Sequence, residues 1–110
     1  MYVKDARMVY VTAADHEQAH ALGRSMVEQR LAACANVTSN VTSIYRWEGE
    51  ICGESETVLI LKTCLAVVDD LVVALKKEHS YDCPCIEVFE VERGNEAYFD
   101  WVRENTGPES

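Results

Sequence analysis

Three side chains that can bind a soft metal ion, His79, Cys83 and Cys85, lie within seven residues of one another. Imidazole and thiolate suit Cu(I) and Zn(II), and thiolates disfavour Mg or Ca. On an extended strand Cys83 and Cys85 share a face, with Cα atoms roughly 6.5–7 Å apart, at or beyond the limit for an unstrained disulfide. The cluster favours a metal site over a disulfide, although small buried cysteines and a helix-capping histidine are the commoner structural interpretation.

Two further groups of residues could do chemistry under conditions that the sequence cannot test. Cys34 follows the first predicted helix and would form a nucleophile and base pair with His79 only if folding brought them together. His16 and His20 lie one helical turn apart and could form a surface metal pair, but no third ligand is apparent. Without a glycine-rich phosphate loop, the sequence predicts a protein that is not an enzyme.

Aromatic and basic residues at a predicted hairpin indicate an interface. Tyr45 and Trp47 end a long strand next to a turn, a position that favours aromatic anchors between subunits over ligand stacking. Lys62 is a charge inside a strand and needs a partner, either a carboxylate of another subunit or an anion in a cleft. We place Tyr81 with these three as predicted residues of an inter-subunit cleft.

The charge and cysteine content restrict the partners and the compartment. With 19 Asp and Glu against 10 Lys and Arg, the chain carries −9 and attracts cations, which argues against nucleic acid and anionic membranes as partners. Residues 1–7 lack the apolar core of a secretory signal, and five cysteines are an odd number for a disulfide framework. We therefore expect free thiols in a cytoplasmic protein with no organic cofactor.

Hydrophobic periodicity predicts four strands and three helices that would position these residues. Asp15 and Gln18 have the spacing of a capping box at the first helix, and Gly94 with Asn95 precedes the last helix. The predicted elements are strand 7–13, a helix after residue 15, strand 36–47, strand 57–62, helix 65–78, strand 84–91 and a C-terminal helix. This order predicts an α+β fold, a ferredoxin-like split β-α-β-β-α-β sandwich with an extra helix.

The strand over residues 36–47 is longer than its own sheet requires. Its period of two places Val37, Val41, Tyr45 and Trp47 on one face. Twelve residues compare with a usual strand length of about five or six. The spare backbone predicts a hairpin that docks on a partner subunit and covers the sheet face that the helices leave open.

Several stretches together resemble the CutA divalent-cation tolerance family. They are residues 28–36 (EQRLAACAN), 41–49 (VTSIYRWEG), 61–63 (LKT), 79–84 (HSYDCP), and Gly94-Asn95 with Tyr98 and Trp101. The similarity extends from about Met8 to Asn105. Where the family usually has proline, valine and glutamate, this chain has Ser80, Cys83 and Cys85.

The resemblance implies a homotrimer of ferredoxin-like subunits that associates with copper and other divalent cations. We expect one CutA-type domain over residues 7–106, an N-terminal extension over 1–6 and a tail over 107–110. The expected metal ligands are His79, Cys83, Cys85 and Cys34. The resemblance also implies a trimer like that of PII-type signalling proteins, so the alternative function is a module that binds a small molecule or a protein partner between subunits.

Overall fold

The computed structural model describes residues 2–109; Met1 of the predicted extension and Ser110 of the predicted tail lie outside them. The elements are β1 (Ala6–Ala13), α1 (His16–Glu28), β2 (Cys34–Trp47), β3 (Glu50–Cys64), α2 (Leu65–Glu78), β4 (Ile86–Glu90) and α3 (Glu96–Glu104). All strand pairs are antiparallel, in the order β2-β3-β1-β4. The predicted α+β class, with one four-stranded sheet and three helices, is confirmed.

The main core lies between the sheet and helices α1 and α2. Val9 and Val11 of β1 lie opposite Leu61 and Leu59 of β3, and all four are fully buried. From the helices the core receives Leu22, Met26, Leu71 and Leu75. We call this face of the sheet the helix side and the other face the open side.

Helix α1 begins at its predicted cap. The Asp15 carboxylate accepts the Gln18 N–H at 2.8 Å, which satisfies an amide that has no partner inside the helix. The reciprocal bond differs from a standard capping box, because the Gln18 side chain accepts the N–H of Ala14 at 2.9 Å instead of that of Asp15.

A β-bulge in β2 reverses the predicted alternation of side chains. Val37 lies opposite Leu59, but after a register shift Val41 lies opposite Glu56. One extra residue in one strand moves every later side chain to the other face. Val37 therefore faces the helix side, whereas Val41, Tyr45 and Trp47 face the open side. The prediction that the four share a face is confirmed for the last three and wrong for Val37.

The β2–β3 hairpin is longer than predicted. Strand β3 begins at Glu50, where it pairs with Trp47, although the sequence predicted a return only from residue 57. Pairing between β3 and β1 ends at Thr57 opposite Ala13, so the rest of the hairpin extends beyond the sheet. We call residues 41–56 the arm; it contributes to dimensions of 47 × 26 × 23 Å.

Helix α3 covers one end of the open side, where Ala6 pairs with Cys64. Its residues Phe99 and Val102 form a second buried cluster with Val3 and Ala6. The N–H of Val3 donates to the Glu92 carbonyl at 3.0 Å. Within the stretch predicted as an N-terminal extension, Val3 and Ala6 are therefore packed against α3, whereas Tyr2 and Lys4 are exposed.

The helices in the described part of the chain are too short and too polar to cross a membrane.

Candidate functional site

The predicted ligand His79 is buried and uses both ring nitrogens. Nε2 lies 2.8 Å from the Thr12 carbonyl oxygen, which can only accept, and the Tyr81 N–H donates to Nδ1 at 3.0 Å. The proton must therefore sit on Nε2, and the ring is a neutral imidazole with both positions occupied. In this arrangement neither nitrogen is free to bind a metal ion.

The predicted ligands Cys83 and Cys85 are exposed free thiols in the segment between α2 and β4. The Cys85 thiol donates to a Glu87 carboxylate oxygen at 3.6 Å. Burial of its sulfur and the nearby charge of Glu87 raise the pKa of Cys85. Strand β4 begins at Ile86 and not at Pro84 as predicted, so both cysteines precede the paired part of the strand.

Tyr81 joins this segment to the base of the arm. Its hydroxyl donates to the Glu56 carboxylate at 3.0 Å. Burial, this hydrogen bond and the charge of Glu56 raise the pKa of Tyr81 to about 12. Its ring also lies 4.6 Å from that of His79, centroid to centroid. Tyr81 thus holds the arm and the cysteine segment together.

Cys34 lies at the opposite end of the sheet from His79. Across β3 it is in register with Met8, whereas His79 binds the carbonyl of Thr12, four residues further along β1. At about 3.3 Å per residue this separates the two by about 13 Å along the strand direction, in addition to the width of the strands between them. The suggested nucleophile and base pair therefore does not form, and Cys34 does not join the other predicted ligands within one chain.

Metal-ligand side chains do not converge anywhere in residues 2–109. No three His, Cys, Asp or Glu side chains surround a common point in this range. The rings of His16 and His20 do lie face to face, with centroids 6.4 Å apart, but as a pair alone. A metal ion with three or more protein ligands would therefore need a second chain or a rearrangement of this one.

Lys62 finds a neutral partner within its own chain. Its ammonium donates to the Asn36 side-chain oxygen at 2.9 Å across the β2–β3 pair. The three salt bridges among the described residues do not include it. Its charge is therefore left for a carboxylate or an anion from outside the chain.

The arm exposes apolar side chains on both of its faces. Tyr45 faces the open side, and its hydroxyl donates to Glu54, a bond that raises the pKa of Tyr45 to about 12. Trp47 on the same side is 62% exposed. Ile44 and Ile51 on the other side are 75% and 64% exposed. Such large apolar surfaces on a thin hairpin mark a contact region.

Sequence reasoning missed the carboxylates that hold the predicted tyrosines. Glu54 and Glu56 lie on the open side of β3, directly beside Tyr45 and Tyr81. The sequence did contain a signal for them. Glu50, Cys52, Glu54 and Glu56 are spaced two apart, which is the alternation of a strand that begins before residue 57.

The chain is similar to known proteins over nearly its whole length. A model of the family described as CutA1 divalent ion tolerance protein matches residues 7–105. The divalent-cation tolerance protein CutA of Thermus thermophilus is 40% identical over 100 residues, which cover 91% of this chain and 97% of that protein. The human protein CutA is 37% identical over 97 residues, 88% of this chain but only 54% of that protein.

Solved structures with these names have the same fold. CutA from Synechococcus elongatus superposes with a TM-score of 0.93 at 32% identity and covers 97% of this chain and 95% of that one. The divalent cation tolerance protein from Thermus thermophilus superposes with a TM-score of 0.89 at 39% identity and covers 93% and 99%.

Proposed function

Because the chain belongs to the CutA1 divalent ion tolerance family, we propose that it acts in divalent-cation tolerance as a homotrimer of ferredoxin-like subunits. The arm is the observation that supports the proposed assembly, and family membership supports the proposed role in tolerance. We propose no catalytic reaction, because Cys34 and His79 lie at opposite ends of the sheet.

The dimensions of a single chain support assembly. Its accessible surface of 7004 Å² exceeds the about 6,100 Å² expected for a monomer of 12.4 kDa. Its radius of gyration of 14.7 Å exceeds the about 13 Å typical of a compact domain with 110 residues. Both excesses are what a subunit shows when its arm projects into space that other copies fill.

The open side supplies a surface for the arm of another copy. Met8, Tyr10 and Ile60 are only half-buried there, and Phe89 is 45% exposed. The arm and the open side are different surfaces, so their contact is head-to-tail, and in the proposed trimer three such contacts close into a ring. Lys62, Tyr45, Trp47 and Tyr81 then lie at or near the boundary between copies, where Lys62 gains a charged partner.

Sedimentation analysis of the reduced protein tests the assembly. We expect a single species of three times 12.4 kDa, about 37 kDa, across micromolar concentrations. A folded species of 12.4 kDa under these conditions would contradict the proposal.

The proposed ligands are copper and other divalent cations. The charge of −9 attracts cations, Cys83 and Cys85 are exposed thiols, and the Cys85 thiol donates to the carboxylate of Glu87. His79 and Cys34 are the weaker half of the predicted set: His79 has both nitrogens bonded, and Cys34 lies on β2, displaced from His79 by about 13 Å along the strand direction alone.

Growth in elevated metal tests the role in tolerance. A bacterial strain without its own CutA protein is grown in graded copper, zinc and cadmium with or without this chain. We expect the chain to raise the inhibitory concentration of at least one divalent metal. A variant in which Asn-Gly replaces residues 43–54 is the matched control, because Thr42 and Ser55 already lie directly opposite each other. Equal sensitivity with and without the wild-type chain would contradict the proposal.

We propose the cytoplasm as its compartment, supported by five cysteines that are all unpaired. Rapid alkylation of intact cells, followed by mass spectrometry, should find all five thiols reduced. A disulfide in the cellular protein would contradict this.

A second candidate function is the binding of a small anionic molecule between subunits, as in PII-like signalling modules. An open groove beside β2, lined by Arg24, Val27 and Cys34 among others, supports it. Thermal unfolding is measured with nucleotides and carboxylate metabolites. Ligand-dependent stabilisation that is lost in Arg24→Ala, a cation that lines this groove, supports this function, and no stabilisation at millimolar ligand rejects it.

A further inference from the structure

We propose that Cys83 and Cys85 of each chain together bind one soft monovalent metal ion, Cu(I) or Ag(I), as a pair of thiolates. This inference rests on the metal-binding part of the proposed function and specifies it: the ion is monovalent, and neither His79 nor Cys34 is a ligand.

The two thiols are the accessible pair of the molecule. Cys83 and Cys85 are exposed and unpaired, whereas Cys64 is buried and contacts the Thr106 hydroxyl. Only Pro84 separates them, so both sulfurs belong to one short stretch of backbone. An ion from solution reaches both without opening the core.

The segment that carries the pair is fixed at both ends. At one end His79 binds the Thr12 carbonyl, and at the other Ile86 pairs with Val11. Both anchors are on β1, one of the two inner strands of the sheet. Pro84 further restricts the backbone, since its ring fixes φ near −65°. A segment restrained in this way loses little conformational freedom when it takes up an ion.

The number of donors selects the ion. Zn(II) in protein sites takes four ligands, and no three ligand side chains converge within residues 2–109. His79, the nearest imidazole in sequence, has both nitrogens bonded. Cu(I) and Ag(I) are soft ions with filled d shells that are stable between two thiolates in a linear arrangement. The pair therefore suits a monovalent soft ion and leaves a divalent ion under-coordinated.

The competing fate of the pair is a disulfide, which this structure does not contain, because all five cysteines are free thiols. An ion placed between the sulfurs gives a longer bridge than a disulfide, because two metal–sulfur bonds replace one sulfur–sulfur bond.

Binding requires no electron transfer when the ion is supplied in its monovalent state. Two thiols release two protons, two sulfur–metal bonds form, and the bound unit carries one negative charge. The Cys85 thiol gives up the proton that it now donates to Glu87. The experiment must therefore be done without oxygen and with copper kept as Cu(I).

Competition against a chromogenic Cu(I) chelator such as bicinchoninate measures the affinity and the stoichiometry. The reduced full chain is titrated beside Cys83→Ser, Cys85→Ser and the double variant. Cys52→Ser is the matched control, since Cys52 is a partly exposed free thiol on the arm. Thermal unfolding of each variant confirms that it folds, which serine at two exposed positions should not prevent.

We expect one Cu(I) per chain and, in either single variant, a loss of affinity larger than the roughly 10- to 100-fold that an outer-shell substitution causes. Cys52→Ser should bind like the wild type, and Ag(I) should displace Cu(I). Unchanged binding in the double variant, or one ion shared by two or three chains, would overturn the inference. Cu(I) binding without any protection against divalent metals in cells would reject the proposed function but support this site. Protection in cells without Cu(I) binding would support the proposed function and reject this site.

Discussion

At the scale of single residues, Gly23 controls how closely helix α1 approaches the sheet. A Cβ atom at this position would lie 3.0 Å from the Cβ of Ala35 and 3.0 Å from a methyl carbon of Leu59. The first of these atoms is fixed to the backbone of β2 and cannot move without it. Glycine therefore stands inside a helix, where it is otherwise unfavourable by about 1 kcal/mol, because the packing leaves no room for a methyl group.

We expect Gly23→Ala to destabilise the protein although alanine is the better helix former. Overpacking costs about 1–3 kcal/mol, against a gain in helix propensity of about 1 kcal/mol. Denaturant unfolding of the variant measures the difference. Ala21→Gly on the exposed face of the same helix is the control and measures helix propensity alone. A Gly23→Ala variant more stable than the wild type would show that the helix can move away from the sheet.

Tyr81 gives a second prediction at this scale, because its environment favours the protonated phenol. We expect its pKa of about 12 to make it ionise about two pH units later than the usual value of 10.0. Its contribution to stability is present below pH 10, the ionisation range of the unfolded chain, and is lost as the pH rises towards about 12. Ultraviolet difference titration of wild type and Tyr81→Phe measures it.

The charge of Glu56 is the part of this shift that a single substitution can remove. In Glu56→Gln the phenol should ionise earlier than in the wild type but still later than a free tyrosine, because burial remains the larger cause. An unchanged titration in Glu56→Gln would contradict the assigned hydrogen bond.

At the scale of secondary structure, Arg30 connects the end of α1 to the end of α3. Its side chain donates to the carbonyls of Gly107 at 2.6 Å and Glu104 at 2.8 Å. The Gly107 N–H donates back to the Arg30 carbonyl at 2.8 Å. Arg30 also adopts φ 60°, the left-handed conformation in which a helix often ends. One residue therefore ends one helix and caps another.

The two roles of Arg30 can be separated by substitution. Arg30→Gly removes the side-chain bonds and relieves the strain of the left-handed conformation, whereas Arg30→Ala removes the same bonds and keeps that strain, so it should be less stable than the glycine variant by about 1 kcal/mol. In both variants we expect faster amide hydrogen exchange in α3 than in the wild type, with unchanged exchange in β1. Equal rates of amide exchange in α3 of the wild type and Arg30→Gly would show that the second buried cluster alone holds the helix in place.

At the scale of the whole molecule, the arm and the rest of the chain, which we call the compact part, differ in how far each can be stable without other copies. The compact part has a core of its own between the sheet and two helices. The arm has only its own strand pairing, and an isolated two-stranded hairpin is at best marginally stable in water. The arm should therefore be ordered by contact with other copies, while the compact part needs them much less.

Shortening the arm should separate folding from assembly. In the variant with Asn-Gly in place of residues 43–54, we expect the circular dichroism of a folded α+β domain and the sedimentation of a single chain. The reason is that the exposed Ile44, Trp47 and Ile51 are removed while the main core is intact. An assembly of unchanged size would show that the open side alone joins the subunits. Trp47→Ala, a milder change, should weaken the association without abolishing it.

Patterns among neighbouring residues were enough to predict the number, type and order of the elements, and most of their bounds to within two residues. Local periodicity carries this information, because a helix or strand that buries one face must repeat apolar residues at its own period. The cap at Asp15 and the overlong strand ending at Tyr45 and Trp47 were readable for the same reason: each depends on neighbours along the chain.

Which side chains meet depends on contacts between segments that are far apart in the chain. The bulge after Val37 reverses a face, and the register of three strands separates Cys34 from His79. Both nitrogens of His79 are used by groups that no local pattern connects to it. These outcomes depend on pairing between distant segments, and a shift of one residue in that pairing changes every contact. The sequence therefore identified the candidate metal ligands but could not show which of them lie close together.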